Sequence, residues 1–112
     1  EHTYTLVADD DIDERIIGVV SSILLSTGIL KKYKPIISSA RADGDLIKVS
    51  ARATDDMAKL GLDLGEVMMK AAEPHEGRGG GHNIAAGAFL PEADQEEFLQ
   101  RVDVLVGEQF QA

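Results

Sequence analysis

Residues 36–53 read Ile-Ile-Ser-Ser-Ala-Arg-Ala-Asp-Gly-Asp-Leu-Ile-Lys-Val-Ser-Ala-Arg-Ala, and this stretch decides the fold class. Pro35 opens an apolar run from Ile36 to Arg41. Asp43-Gly44 then forms a two-residue hairpin signal, because these residue types accept the backbone conformations that tight hairpin turns demand. The segment from Leu46 to Ala53 reads as the returning strand. An antiparallel hairpin, 36–41 against 46–53, is therefore predicted. Side chains alternate faces along a strand. Ile47, Val49, Ala51 and Ala53 share one face, while Lys48, Ser50 and Arg52 share the other, with Leu46 at the edge. The apolar face is built of small side chains and can receive a helix.

Working outward, residues 4–8 read as a short strand or as the end of an extended linker. Asp9, Asp10, Asp11 and Asp13 form an acidic knot behind them. Ile16, Val20, Ile23, Leu24 and Thr27 recur at helical spacing, which predicts a largely buried helix over 13–27 that Gly28 ends. On the other side of the hairpin, Asp63 and Glu66 have capping-box spacing and open a helix over 63–72, closed by Pro74. Residues 74–83 read as an exposed, glycine-rich loop. Ala85 to Leu90 reads as a short helix passing into a third strand, which Pro91 interrupts. Asp94 and Glu97 have the spacing of a second capping box. Phe98, Val102, Leu105 and Val106 then stripe a last helix near 94–107. The expected class is α+β: a small α/β-type domain in which helices near 13–27, 63–72 and 94–107 pack a short mixed sheet.

The chain has 112 residues, enough for one domain. It has no cysteine, which excludes disulfides and thiolate metal sites. No apolar run approaches the ~20 residues of a membrane span, and no signal-peptide pattern opens the chain. A cytoplasmic protein with no membrane partner is expected. The net charge of −9, from 20 acidic and 11 basic residues, argues against an indiscriminate nucleic-acid binder, which needs a basic field to collect phosphates. It leaves room for a local basic site. An acidic surface also suits concentrated salt, where at ~1 M the Debye length of ~3 Å leaves short contacts to decide binding.

The richest functional signal is Gly79-Gly80-Gly81-His82-Asn83. Within regular structure each glycine costs roughly 0.5–1 kcal/mol relative to alanine. Such a run persists where the chain bends sharply or a ligand must approach bare backbone. Successive N–H groups of a glycine turn form an anion-binding concavity. A helix starting behind it adds partial positive charge, and His82 and Asn83 add donors. No Gly-Lys-Ser/Thr follows, so this is not a nucleotide-binding P-loop. The competing reading is a surface loop with an incidental histidine. Lys48, Ser50 and Arg52 are open to two readings as well: a solvated strand face, or a phosphate clamp in which Arg52 binds in bidentate fashion and Ser50 donates its hydroxyl. His75 and His82 lack the register and companion ligands of a zinc site. The aspartates at 9–13 lack the glycine and terminal glutamate of a calcium loop, and read as a solvated segment capping the first helix. Met57, Met68 and Met69 read as core or edge residues. Neither a serine–histidine–acid set nor a carboxylate pair stands out.

Four segments carry a family resemblance: Arg15-Ile16-Ile17-Gly18-Val19-Val20, Lys48-Val49-Ser50-Ala51-Arg52-Ala53-Thr54, Leu62-Asp63-Leu64-Gly65-Glu66, and Gly79 through Ala88. In this order they resemble the DHHA1 domain, the C-terminal substrate-binding half of DHH-family phosphoesterases. The chain looks most like the archaeal branch of RecJ-type single-strand-specific exonucleases, the GINS-associated nucleases. The resemblance implies that a catalytic domain precedes this one and binds two divalent metals, manganese or magnesium. The Asp-His-His motif that names the family is absent here, so this domain is expected to bind no cofactor itself and to be inactive alone. It implies that Gly79, Gly80, Gly81, His82 and Arg52, with Ser50, hold the phosphate and terminal nucleotide of a substrate in the interdomain cleft. Residues 1–10 would end the interdomain linker, and 11–112 would form the DHHA1 domain. Expected partners are single-stranded nucleic acid or an oligonucleotide, the upstream DHH domain and the GINS replication complex. Two alternatives share the fold: the substrate domain of an oligonucleotide or cyclic-dinucleotide phosphodiesterase, and a non-catalytic RNA-binding or docking module like the C-terminal domain of alanyl-tRNA synthetases.

Overall fold

The hairpin organises the sheet. In a computed structural model, which describes residues 3–7, 19, 23, 34–75 and 77–110, strand β2 (Ile36–Arg41) pairs antiparallel with β3 (Leu46–Arg52). The connection is one residue longer than the Asp43-Gly44 pair predicts. Ala42 closes it by donating to the Leu46 carbonyl at 2.9 Å, leaving residues 43–45 as the loop. Gly44, at φ 67°, supplies the left-handed residue that this turn needs.

Three further strands complete a five-stranded sheet in the order β1-β2-β3-β5-β4. Strand β1 (Tyr4–Val7) runs parallel to β2. Residues 4–7 are therefore sheet, not linker. Strands β4 (Arg78–Gly81) and β5 (Ala85–Pro91) are antiparallel to each other, and β5 is antiparallel to β3. Two expectations change here. The predicted glycine-rich loop contains a strand, and residues 85–91 are strand throughout, with Pro91 ending β5 and not breaking it. Ala85-Ala86-Gly87-Ala88 has no hydrophobic period of its own, so pairing with β3 on one side and β4 on the other decides its conformation.

Three α-helices have described bounds: α1 (Asp55–Lys59), α2 (Leu64–Ala72) and α3 (Gln95–Gln109). Of the first capping box the N-cap half forms: the Asp63 side chain accepts from the Glu66 N–H at 3.3 Å, while the Asp63 N–H donates to Gln109 Oε1 at 2.8 Å and not to Glu66. The second box does not form. Asp94 precedes α3 without a side-chain cap bond. Its carboxylate instead lies 3.6 Å from Nδ1 of His75, whose side chain is 7% exposed and whose Nε2 lies 3.5 Å from Glu97. The predicted helix over 13–27 lies outside the described residues except at Val19 and Ile23. Both are helical there, but Ile23 is 53% exposed and so does not belong to the buried stripe. The aspartates at 9–13 and Gly28 also lie outside the described residues.

The core fills the space between one sheet face and α2 and α3. Ile37, Ile47, Val49, Ala51, Ala86, Ala88 and Leu90 meet Leu64, Val67, Met68, Phe98, Val102 and Val106. Phe98 is fully buried, which stabilises the fold by about 1.5–3 kcal/mol. Met57 and Met68 are buried and Met69 is exposed. Among the described residues, no helix is long and apolar enough to cross a membrane.

Candidate functional site

Strand register decides which of the predicted residues meet. Lys48 pairs with Phe89, Ser50 with Gly87 and Arg52 with Ala85. On the far side of β5, Arg78 pairs with Phe89 and Gly80 with Gly87. The His82 N–H donates to the Ala85 carbonyl at 2.9 Å. Three rows therefore cross the sheet: Lys48–Phe89–Arg78, Ser50–Gly87–Gly80 and Arg52–Ala85–His82. They belong to the face opposite α2 and α3. Arg52 and His82 occupy the same end of the sheet, two strand spacings or about 10 Å apart.

The side chains draw this face together around Gly87. Nη1 of Arg52 donates to the carbonyls of Ala51 at 2.8 Å and Ala86 at 3.2 Å, which lays the guanidinium across the β3–β5 seam. From the other direction Lys48 crosses Gly87 so closely that a Cβ there would lie 3.0 Å from its Cε and 3.1 Å from its Nζ. Its ammonium rests 4.6 Å from the centre of the Phe89 ring. Above Gly80 the space is open. Ser50 lies between the two cations but is only 3% exposed, which makes it the least accessible of the predicted contacts. The solvated-face reading of this strand thus fails at Ser50.

Charge sorts sharply across the sheet. On this face the positions of β3, β4 and β5 carry Lys48, Arg52 and Arg78 and no acidic residue, in a chain with 20 acids and 11 bases. Among the described residues none of these three cations, nor His82, has a carboxylate partner. Arg78 and Phe89 were not expected at the site. The signal was available: were 78–81 read as a strand, alternation would put Arg78 on the side of Gly80.

The three glycines divide their roles. Gly79 and Gly81 pair with Ala88 and Ala86, whose side chains enter the core. A Cβ on Gly79 would lie 2.2 Å from the Met68 carbonyl oxygen, and one on Gly65 would lie 2.4 Å from that of Gly81. Backbone thus packs on backbone between β4 and α2, which Gly79 and Gly65 permit; Gly81, at φ 136°, has no room for a Cβ against Ala85 and Ala86 of β5. Gly80 alone belongs to the open face. Asn83 is an exposed turn residue whose carbonyl accepts from the Leu64 N–H at 2.8 Å, satisfying one free donor at the start of α2. Because strand follows the glycines, the helix start expected next in sequence is not there; the first turn of α2 lies against Gly81 and Asn83 instead. Among the described residues, no group of three or more histidine, aspartate or glutamate side chains is placed to hold a metal ion.

Residues 2–108 match the profile of the DHHA1 domain. The chain belongs to the DHHA1 family. A relative from Methanocaldococcus jannaschii, the uncharacterized protein MJ0831, is 40% identical over 94 residues, which are 84% of this chain and 20% of that protein. The chain thus spans one fifth of the length of this relative. Exonuclease RecJ bound to manganese superposes with a TM-score of 0.68 at 24% identity, over 95% of this chain and 23% of that one. The C-Ala domain of Aquifex aeolicus alanyl-tRNA synthetase superposes with a TM-score of 0.66 at 17% identity, over 95% of this chain and 86% of that one. At these identities the two structures establish a shared DHHA1 fold.

Proposed function

We propose that this DHHA1 domain is the substrate-holding part of a larger DHH-family phosphoesterase, and that it holds single-stranded nucleic acid or an oligonucleotide. Arg52 and His82 contact one backbone phosphate from two sides. Gly80 lets the sugar-phosphate approach bare strand, Lys48 adds charge beside it from across Gly87, and Asn83 offers a donor at the rim. Ser50 supports the floor from below. Gly79 and Gly81 act indirectly, the first by seating β4 on α2 and the second by letting β4 turn closely against β5. Hydrolysis belongs to an upstream domain with the Asp-His-His motif and manganese or magnesium. In the finer form of this reading, the whole protein is a cytoplasmic archaeal single-strand-specific exonuclease that works with the GINS complex. The acidic body fits concentrated salt, where short contacts of this kind dominate.

One observation carries the reading: cations gather on a single sheet face of a chain whose net charge is −9. A body of that charge repels phosphate at long range, so binding must come from short, directed contacts. Fluorescence anisotropy with a labelled single-stranded oligonucleotide tests it. Arg52→Ala and His82→Ala are each expected to weaken binding about tenfold, the scale of a lost charge-assisted hydrogen bond, with little change in melting temperature. Unchanged affinity in both variants would assign these residues to the fold instead.

A further inference from the structure

Phe89 is the only phenylalanine that the core leaves out. Phe98 is 0% exposed and Phe110 4%, whereas Phe89 is 39% exposed. It stands mid-strand on β5, on the face that also carries the cations, and its two cross-strand neighbours are Lys48 and Arg78. The Lys48 ammonium lies against the ring, 4.6 Å from its centre, and so restrains it. Two residues back along β5, a step of about 7 Å, lies Gly87, where Lys48 and Arg52 converge. A flat apolar ring thus adjoins a shallow basic patch, and no acid stands on the same face of β3, β4 or β5.

Aromatic rings beside a basic groove are how sequence-tolerant single-strand binders hold bases: the cations follow the phosphates while a base stacks on the ring. We propose that Phe89, flanked by Lys48 and Arg78, is a nucleobase subsite that stacks one base of a bound single strand. The inference rests on the phosphate-holding role proposed above. It adds a contact that a bare phosphodiester cannot make. Arg78, at the outer edge of the row, meets the phosphate on the far side of the stacked nucleotide. The charge of the face favours a polyanion over an apolar protein partner, because Lys48 and Arg78, which have no carboxylate partner among the described residues, flank a single exposed ring.

The test compares two labelled oligonucleotides of equal length and charge, one with normal bases and one with abasic sites throughout. Phe89→Ala is expected to weaken binding of the normal strand about tenfold and to leave the abasic strand unchanged. Phe89→Trp should retain affinity, and its fluorescence should be quenched when the normal strand binds. Arg52→Ala should weaken both strands. If Arg52→Ala weakens both and Phe89→Ala weakens neither, or both equally, the subsite is wrong while the phosphate role stands. If Arg52→Ala and His82→Ala change neither, the phosphate role fails. A wild-type chain that prefers the abasic strand would also overturn the subsite. A melting curve of Phe89→Ala keeps the comparison valid, because a half-exposed ring contributes little to the fold.

Discussion

The two faces of the central sheet obey different rules. On one, Ile47, Val49, Ala51, Ala86, Ala88 and Leu90 are buried against α2 and α3, and Gly79 of β4 is selected by shape, since only bare backbone fits against Met68. On the other, Lys48, Arg52, Arg78 and Phe89 stand around Gly80 and Gly87; Lys48 lies across Gly87, and the space above Gly80 is open. The same four-residue strand, Arg78 to Gly81, contributes to both. A glycine run can therefore be mostly structural even where one of its members faces a ligand.

The strongest way to break this contrast is to shorten a phenylalanine on each face. Phe98→Ala should cost about 3–5 kcal/mol, since it empties a fully buried site, and urea denaturation should show most of the domain's stability gone. Phe89→Ala should cost less than about 1 kcal/mol, because the ring is already half in water. Similar losses at the two positions would mean that the second face is a core as well. Next in size is Gly79→Ala. Its Cβ would sit 2.2 Å from the Met68 oxygen, which forces β4 off α2 and should cost about 1–3 kcal/mol, the usual scale of overpacking. Oligonucleotide binding should weaken only in step with unfolding.

Smaller effects sharpen the picture at the ends of elements. Asp63→Ala should cost about 1 kcal/mol by removing the α2 cap, read as a lower thermal midpoint. The smallest is a pH effect. The Arg41 guanidinium donates two bonds to Glu92, at 3.0 and 2.9 Å, and this bonding, then the charge itself, holds the Glu92 carboxyl below its ordinary 4.5. A carboxyl depressed in the folded state adds stability above its unfolded value and loses it as pH falls through the folded one. The stability difference between wild type and Arg41→Gln should accordingly be small at neutral pH and vanish on acidification below both values. A difference that grows in acid would contradict the assignment.

What could be read from sequence were the features set by near neighbours. The hairpin follows from alternation around Asp43-Gly44, and the α2 start from Asp63 and Glu66, because each is decided within a few residues. Phe98, Val102 and Val106 were legible as a buried stripe for the same reason. The failures share one cause. Gly79 to Gly81 has no side chains to betray a strand, and Ala85 to Ala88 suits helix and strand alike, so only pairing across the sheet settles them. Asp94 makes no cap bond, and its carboxylate lies 3.6 Å from His75, a neighbour far from it in sequence. Arg52 and Lys48 were singled out as residues but not as a converging pair, since convergence on Gly87 depends on β5 being a strand.

His82 is held on both sides by main-chain bonds: its own N–H to Ala85, and the next residue's carbonyl to Leu64. The segment that carries the imidazole is therefore ordered before anything arrives. A partner engaging it would immobilise one short side chain, at a penalty of about 0.5–1.5 kcal/mol, instead of freezing a whole loop. Calorimetry of such an encounter should accordingly lack the large unfavourable entropy that accompanies disorder-to-order transitions.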